Sequence, residues 1–386
     1  MHRFSILRYL TVFALIGVFS LVVAACDDDE ADDADNGASS DDTEEVDDAE
    51  ESDDESSDEG SDEEAAGQWH GDREIVFADY NWDSARVLNR ISQFIVEEGY
   101  GYETDTVPGE TIPLFQGQLD GDIDISMEIW VDQMPPYQPA LDEGTVVELG
   151  NSVDDTVQGW WVPTYVIEGD EERGIEPMAP DLESVDDLPD YWEVFQDPED
   201  DSKGRLYDGI AGWEAERINE VKFDYYGLDE TYNRFLPGSN AALDTSLQTA
   251  YDQGEPWLGY MWTPTWIAGQ LDLTLIEEPE YTDECWEEVQ AAVEEERTPE
   301  TSCAWPITEA VIASTSAFAD EAPDIIAFLE EFNTSEPQIS ATLSYMAENE
   351  VDADEAALWF LDEYEDMWTE WVPEDVVENV QDALDN

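Results

Sequence analysis

The sequence predicts an α/β fold built from two similar halves. One sign is a strand–helix–strand opening over residues 74–107. Another is a weak internal repeat, in which a helix, a glycine turn and a strand lead to a tryptophan shortly before a proline. Size agrees: the 386 residues are 41% hydrophobic and include 15 Trp, ample for a large core and for more than one domain.

In chain order, residues 1–25 read as an export signal. Arg3 and Arg8 precede an almost wholly apolar run from Leu10 to Ala25, shorter than the ~20 residues of a membrane span. The run ends Val22-Val23-Ala24-Ala25-Cys26, which resembles the lipobox of bacterial lipoproteins and marks Cys26 for lipidation. The alternative is an ordinary signal with a chance cysteine. Residues 26–70 then form a lipidated cysteine and a disordered linker. Between Asp27 and Glu64 there are 23 acidic residues and no basic one. Such a run cannot bury enough apolar surface to fold, and repels itself into a coil spanning ~35 Å or more.

Within the body, residues 74–78 are an apolar strand, and Val87, Leu88, Ile91, Phe94 and Ile95 recur at helical spacing. Residues 102–107 form the second strand and 112–119 another helix. Residues 123–130 alternate strictly, as a half-buried strand does, and end on Trp130. The second copy of the repeat runs through Tyr251-Asp252-Gln253-Gly254 and a strand to Trp262-Thr263-Pro264. A third matching element, Gly209-Ile210-Ala211-Gly212-Trp213-Glu214-Ala215, is a strand end and glycine-rich turn opening a helix. Residues 170–203 are irregular, and helices are expected over 323–332, 356–371 and 376–384.

Charge removes whole classes of function. The formal charge is −89, of which the body from Ala65 onward carries −68. Such a chain is repelled by phosphate backbones, so no nucleic-acid partner is expected. In molar salt the Debye length is ~3 Å, which screens the self-repulsion; the composition is that of a salt-adapted protein. His2 and His70 are the only histidines, so a Ser-His-Asp triad or a histidine-built zinc site is excluded, and no metal or cofactor is expected. Cys285 and Cys303, 18 apart in an exported body, read as a disulfide, with two separate buried thiols as the alternative.

Trp130, Trp213 and Trp262 therefore share one setting, a strand end or helix start, in two halves. Any one of them could simply lid the core. Together they suggest a ligand: ligands bind at the carboxyl ends of strands in open α/β sheets. Aromatic faces attract cations, quaternary ammonium above all. Three faces supply ~2–6 kcal/mol, so the ligand's other end needs a hold too. The N–H groups of the Gly212–Ala215 turn are candidates to bind a carboxylate there.

From Phe77 onward the chain resembles the substrate-binding proteins of glycine betaine/choline ABC transporters, a quaternary-amine group. The resemblance rests on Trp130 after its strand, Gly212-Trp213-Glu214 before its helix, Gly159-Trp160-Trp161-Val162-Pro163-Thr164-Tyr165, and Tyr260-Met261-Trp262-Thr263-Pro264-Thr265-Trp266. It implies a two-lobed periplasmic-binding-protein fold of type II, the venus flytrap, with the ligand in the cleft. Residues 71–163 and 306–386 would form lobe 1 and residues 164–305 lobe 2. It implies a cage of Trp130, Trp213 and Trp262, with Trp82 joining as in choline-binding relatives, and carboxylate contacts from the backbone amides of Glu214 and Ala215. Met134 stands where some relatives place a histidine. The expected protein is a monomeric, non-enzymatic lipoprotein at the cell surface. It would capture glycine betaine, proline betaine or choline for an ABC permease and its ATPase. The alternative is a secreted carbohydrate-active enzyme with a carboxylate pair and aromatic sugar platforms.

Overall fold

The strand–helix–strand opening is a parallel unit: β1 (Ile75–Tyr80) pairs with β2 (Thr104–Gly109) across the helix Asp83–Phe94 and its π-helical continuation Ile95–Tyr100. The computed structural model describes Trp69 and residues 73–386. Residues 1–25, read above as an export signal, Cys26, the acidic stretch 27–64 and His70 lie outside the described residues.

The remaining strands are β3 (Ile125–Trp130), β4 (Val146–Thr156), β5 (Gln158–Pro163), β6 (Gln196–Asp197), β7 (Asp200–Tyr207), β8 (Tyr232–Phe235), β9 (Gly259–Trp262), β10 (Leu273–Leu275) and β11 (Thr308–Thr315). They form two mixed sheets. The first has the order β2-β1-β3-β11-β4, with β11 antiparallel to both neighbours. The second has the order β10-β5-β9-β7-β6, with β8 added alongside β7. Each sheet and its helices make one lobe.

The chain crosses between lobes at two adjacent places. One is Val157, between β4 and β5; the other is the segment leading into β11, whose first residue Thr308 pairs with Thr156. Thr156 Oγ1 donates to the Thr308 carbonyl at 2.7 Å, tying the crossings together. β5 hydrogen-bonds to β9 and β10, so residues 158–163 belong to the second sheet although the boundary drawn at 163 put them in the first lobe. The sequence hides this because β4 and β5 run on with a single residue between them.

Packing follows the periodicity. Val87, Leu88 and Ile91 of the first helix are fully buried, each contributing ~1.5–3 kcal/mol of hydrophobic stabilisation. β3 differs from its alternating pattern: all six residues are buried, because it lies between β1 and β11 with side chains covered on both faces. The carboxyl-terminal helices run over Pro323–Glu331, Glu336–Asn349, Ala353–Glu363, Glu365–Trp368 and Glu374–Leu384. Cys285 and Cys303 are joined by a disulfide, linking the helix Asp283–Glu294 to the segment before β11.

Candidate ligand-binding cleft

Four tryptophans reach the cleft by two local devices. In the first, a helix ends on a left-handed glycine and a strand carries the chain to the tryptophan. Helix Thr111–Asp120 stops at Gly121 (φ 81°), whose N–H donates to the Gln118 carbonyl while that of Asp122 reaches Gly117; β3 then ends on Trp130. Helix Asn240–Gln253 stops at Gly254 (φ 68°) with the same pair of bonds, Gly254 to Tyr251 and Glu255 to Ala250, and β9 ends on Trp262. These are closely matching helix caps, and only glycine adopts their φ without strain. In the second device an extended tryptophan is the N-cap residue of a helix. Trp82 opens Asp83–Phe94, and Trp213, after Gly212 (φ 101°), opens Glu214–Tyr225. Each lobe thus supplies one tryptophan of each kind.

The four indoles meet around one cavity. Trp213 packs edge-on against both Trp82 (centroids 5.9 Å apart) and Trp262 (5.2 Å). Tyr80 stacks on Trp82 at 4.7 Å and Tyr260 on Trp262 at 5.7 Å, backing one ring from each lobe. Burial pushes the Tyr80 hydroxyl up to about 12 and the Tyr260 hydroxyl well above its ordinary value, so both rings stay neutral.

Glu128, on β3, organises the first-lobe wall. Its Oε1 accepts from Trp82 Nε1 at 2.8 Å, Trp130 Nε1 at 2.9 Å and Ser84 Oγ at 3.0 Å. Burial pushes this carboxyl above the ordinary glutamate range, against the pull of those three donors. In the second lobe Tyr260 Oη donates to Gln158 Oε1 at 2.7 Å, an oxygen that also accepts from Gln133 Nε2 at 2.8 Å. Trp213 Nε1 crosses between lobes to Asn81 Oδ1.

The predicted tryptophans Trp82, Trp130, Trp213 and Trp262 all line this one cavity, as does Ala215. Glu214 is buried but turns its carboxylate to Arg217 at 2.9 Å, so only its backbone faces the turn. The first-turn N–H groups of this helix have no intrahelical acceptor and remain able to bind an anion. Sequence reasoning missed Glu128, Tyr80 and Tyr260. The available signal for Glu128 was a charged residue inside an otherwise apolar run, two places before Trp130. Among the described residues lining the cavity Glu128 is the one carboxylate, and no Arg, Lys or His accompanies it.

Solved structures share this architecture. The glycine betaine/L-proline-binding protein of Borrelia burgdorferi superposes with a TM-score of 0.62 at 18% identity, covering 80% of this chain and 100% of that one. An ABC-transporter choline-binding protein in complex with choline gives 0.60 at 16% identity, covering 80% and 97%. Lactococcal OpuAC, closed around glycine betaine, gives 0.58 at 16% identity, covering 78% and 100%. At these identities the likeness establishes the fold, a two-lobed type II binding-protein fold. The family model of the substrate-binding domain of ABC-type glycine betaine transport systems matches residues 73–363, well over half of the chain. This protein therefore belongs to the family of ABC-transporter substrate-binding proteins for glycine betaine and its relatives.

Proposed function

We propose that the chain captures a quaternary ammonium compound, such as glycine betaine, proline betaine or choline, in an aromatic cation–π cage and hands it to an ABC permease. The observation that carries this reading is the meeting of Trp82, Trp130, Trp213 and Trp262 around a cavity with no cationic side chain among its described lining residues. A fully methylated nitrogen has no N–H to donate. It gains most from ring faces, each worth ~0.5–2 kcal/mol. The first-turn amides at Glu214 and Ala215 are the proposed contact for the ligand's other end. Closure would bend the chain at Val157 and before Thr308, where the lobes are joined.

Attachment through Cys26, with the acidic stretch 27–64 as a spacer, would hold the body outside the membrane. No helix among the described residues is long and apolar enough to cross one. The carbohydrate-enzyme alternative draws no support from the cavity, which presents one carboxylate where glycoside hydrolysis uses a pair. Calorimetric titration in molar salt tests the proposal. Heat with at least one of glycine betaine, proline betaine, choline or carnitine is expected, and no heat with any of them overturns it.

A further inference from the structure

Glu128 carries more than the positions of two indoles. One of its oxygens, Oε1, is saturated by Trp82, Trp130 and Ser84. The other, Oε2, is buried without a hydrogen-bond partner among the described residues, on a side chain that is 1% exposed and lines the cavity. A buried carboxylate oxygen left bare is costly unless something else meets it. Three donors converging on one oxygen pull toward the carboxylate against the burial that raises this group, and a cation against Oε2 would add to that pull. No protein cation along the described lining answers this carboxyl, so a ligand cation would meet it without a competitor.

A second carboxylate lies outside the cavity lining but beside the Gly212 turn. Glu110 of the first lobe accepts from Asn81 Nδ2 at 3.0 Å and stands over Gly212, where an added Cβ would lie 3.3 Å from Glu110 Oε2. Gly212 begins the turn whose amides would hold a ligand carboxylate. That carboxylate would approach with Glu110 on one side and Glu128 in the same low-dielectric cavity. The residue at position 134, buried along the lining, is an uncharged methionine and offers no compensation. A ligand of net charge +1 would compensate an ionised Glu128; a zwitterion would not.

We infer that Glu128 is a specificity-determining residue that selects ligands of net positive charge with an uncharged tail, the choline class, over zwitterionic betaines. The inference rests on the quaternary-amine reading and narrows it.

The test is calorimetric titration of the full chain, in detergent and molar KCl, with choline, glycine betaine and tetramethylammonium. Choline is expected to bind about tenfold or more tightly than glycine betaine, with tetramethylammonium also binding. In Glu128→Gln the amide oxygen can keep the three donors while the charge is gone; choline should weaken by about tenfold and the preference should collapse. Glu110→Gln should strengthen glycine betaine and leave choline unchanged. If the Glu128 variant fails to fold, judged by its melting curve, the wild-type ratio and the Glu110 variant still decide. Betaine binding as tightly as choline to the wild type, or an unchanged ratio in a folded Glu128→Gln protein, overturns the inference but leaves the quaternary-amine reading intact. Silence with all three amines overturns the inference, and silence that extends to proline betaine and carnitine overturns the quaternary-amine reading as well.

Discussion

Trp213 Nε1 donates a hydrogen bond to Asn81 Oδ1 at 2.6 Å, so a cleft tryptophan of the second lobe is latched to the residue next to Trp82 of the first. The bond exists only while the lobes are together. Its free energy therefore belongs to closure rather than to either lobe's folding. Asn81→Ala should weaken ligand binding by about 2- to 12-fold, the equivalent of one net hydrogen bond of ~0.5–1.5 kcal/mol, with little change in the melting temperature of the ligand-free protein. Calorimetry and a thermal melt check the two halves of this expectation; equal affinity in the variant would show that the latch adds nothing to closure.

Trp262 tests the cage itself. Its ring is buried, stacked on Tyr260 and edge-on to Trp213. Trp262→Ala removes a face worth ~0.5–2 kcal/mol and leaves a hole where it stood, so affinity for a quaternary amine should drop by about tenfold or more. Trp262→Phe should fall between that variant and the wild type. A phenylalanine variant as weak as the alanine one would point to lost packing instead of a lost cation–ring contact.

Between the lobes, Asp244 Oδ2 accepts from Asn240 Nδ2 at 2.7 Å and Trp266 Nε1 at 3.1 Å, while Oδ1 has no partner among the described residues. Burial, helped by the charge of Asp83, pushes this carboxyl from 3.8 up to about 7. A raised value means the folded protein holds the proton that the unfolded chain releases. The associated stability is present below about pH 4 and lost as pH rises toward 7. Asp244→Asn keeps the oxygen that accepts both bonds and removes the titration. Its melting temperature should exceed that of the wild type at pH 8, with the gap narrowing toward pH 4. A gap independent of pH would sink the assignment.

Lys222 and Glu278 form an ion pair at 3.0 Å with side chains only 1% and 4% exposed, and the ammonium lies 4.9 Å from the centre of the Trp305 ring. Removing one member strands the other in a medium that cannot solvate it. Lys222→Met should therefore destabilise the protein by ~3–5 kcal/mol, and adding Glu278→Leu should restore much of the loss. Urea denaturation of the four proteins in this cycle measures the coupling; additive losses would mean the pair is not energetically linked.

The placing of the cleft tryptophans was legible where local rules generate it. Gly121 and Gly254 end their helices through bonds made within a few residues, so the helix–glycine–strand–tryptophan order could be read straight along the chain. Glu128 was not legible as a wall of the site, because its meaning depends on Trp82 and Ser84 arriving from over 40 residues away. The full burial of β3 was hidden for the same reason: β11, its neighbour on one side, lies far downstream. β4 was missed because Gly150, Asn151, Ser152 and Asp154 are poor strand formers. They are carried there by an irregular pairing with β11 in which the register shifts repeatedly.

The carboxylate that tethers two indoles at once has a consequence for how fast a ligand can be taken. Trp82 and Trp130 share one oxygen within one lobe, and Trp262 leans on a tyrosine whose hydroxyl is itself tied down. Their rotational freedom is surrendered when each lobe folds, long before any solute arrives. On the proposed reading, what is left to order at capture is the hinge and the Trp213–Asn81 latch. The cleft would then close as two largely finished half-moulds, with uptake governed by how often they swing together rather than by the search of aromatic side chains for their places.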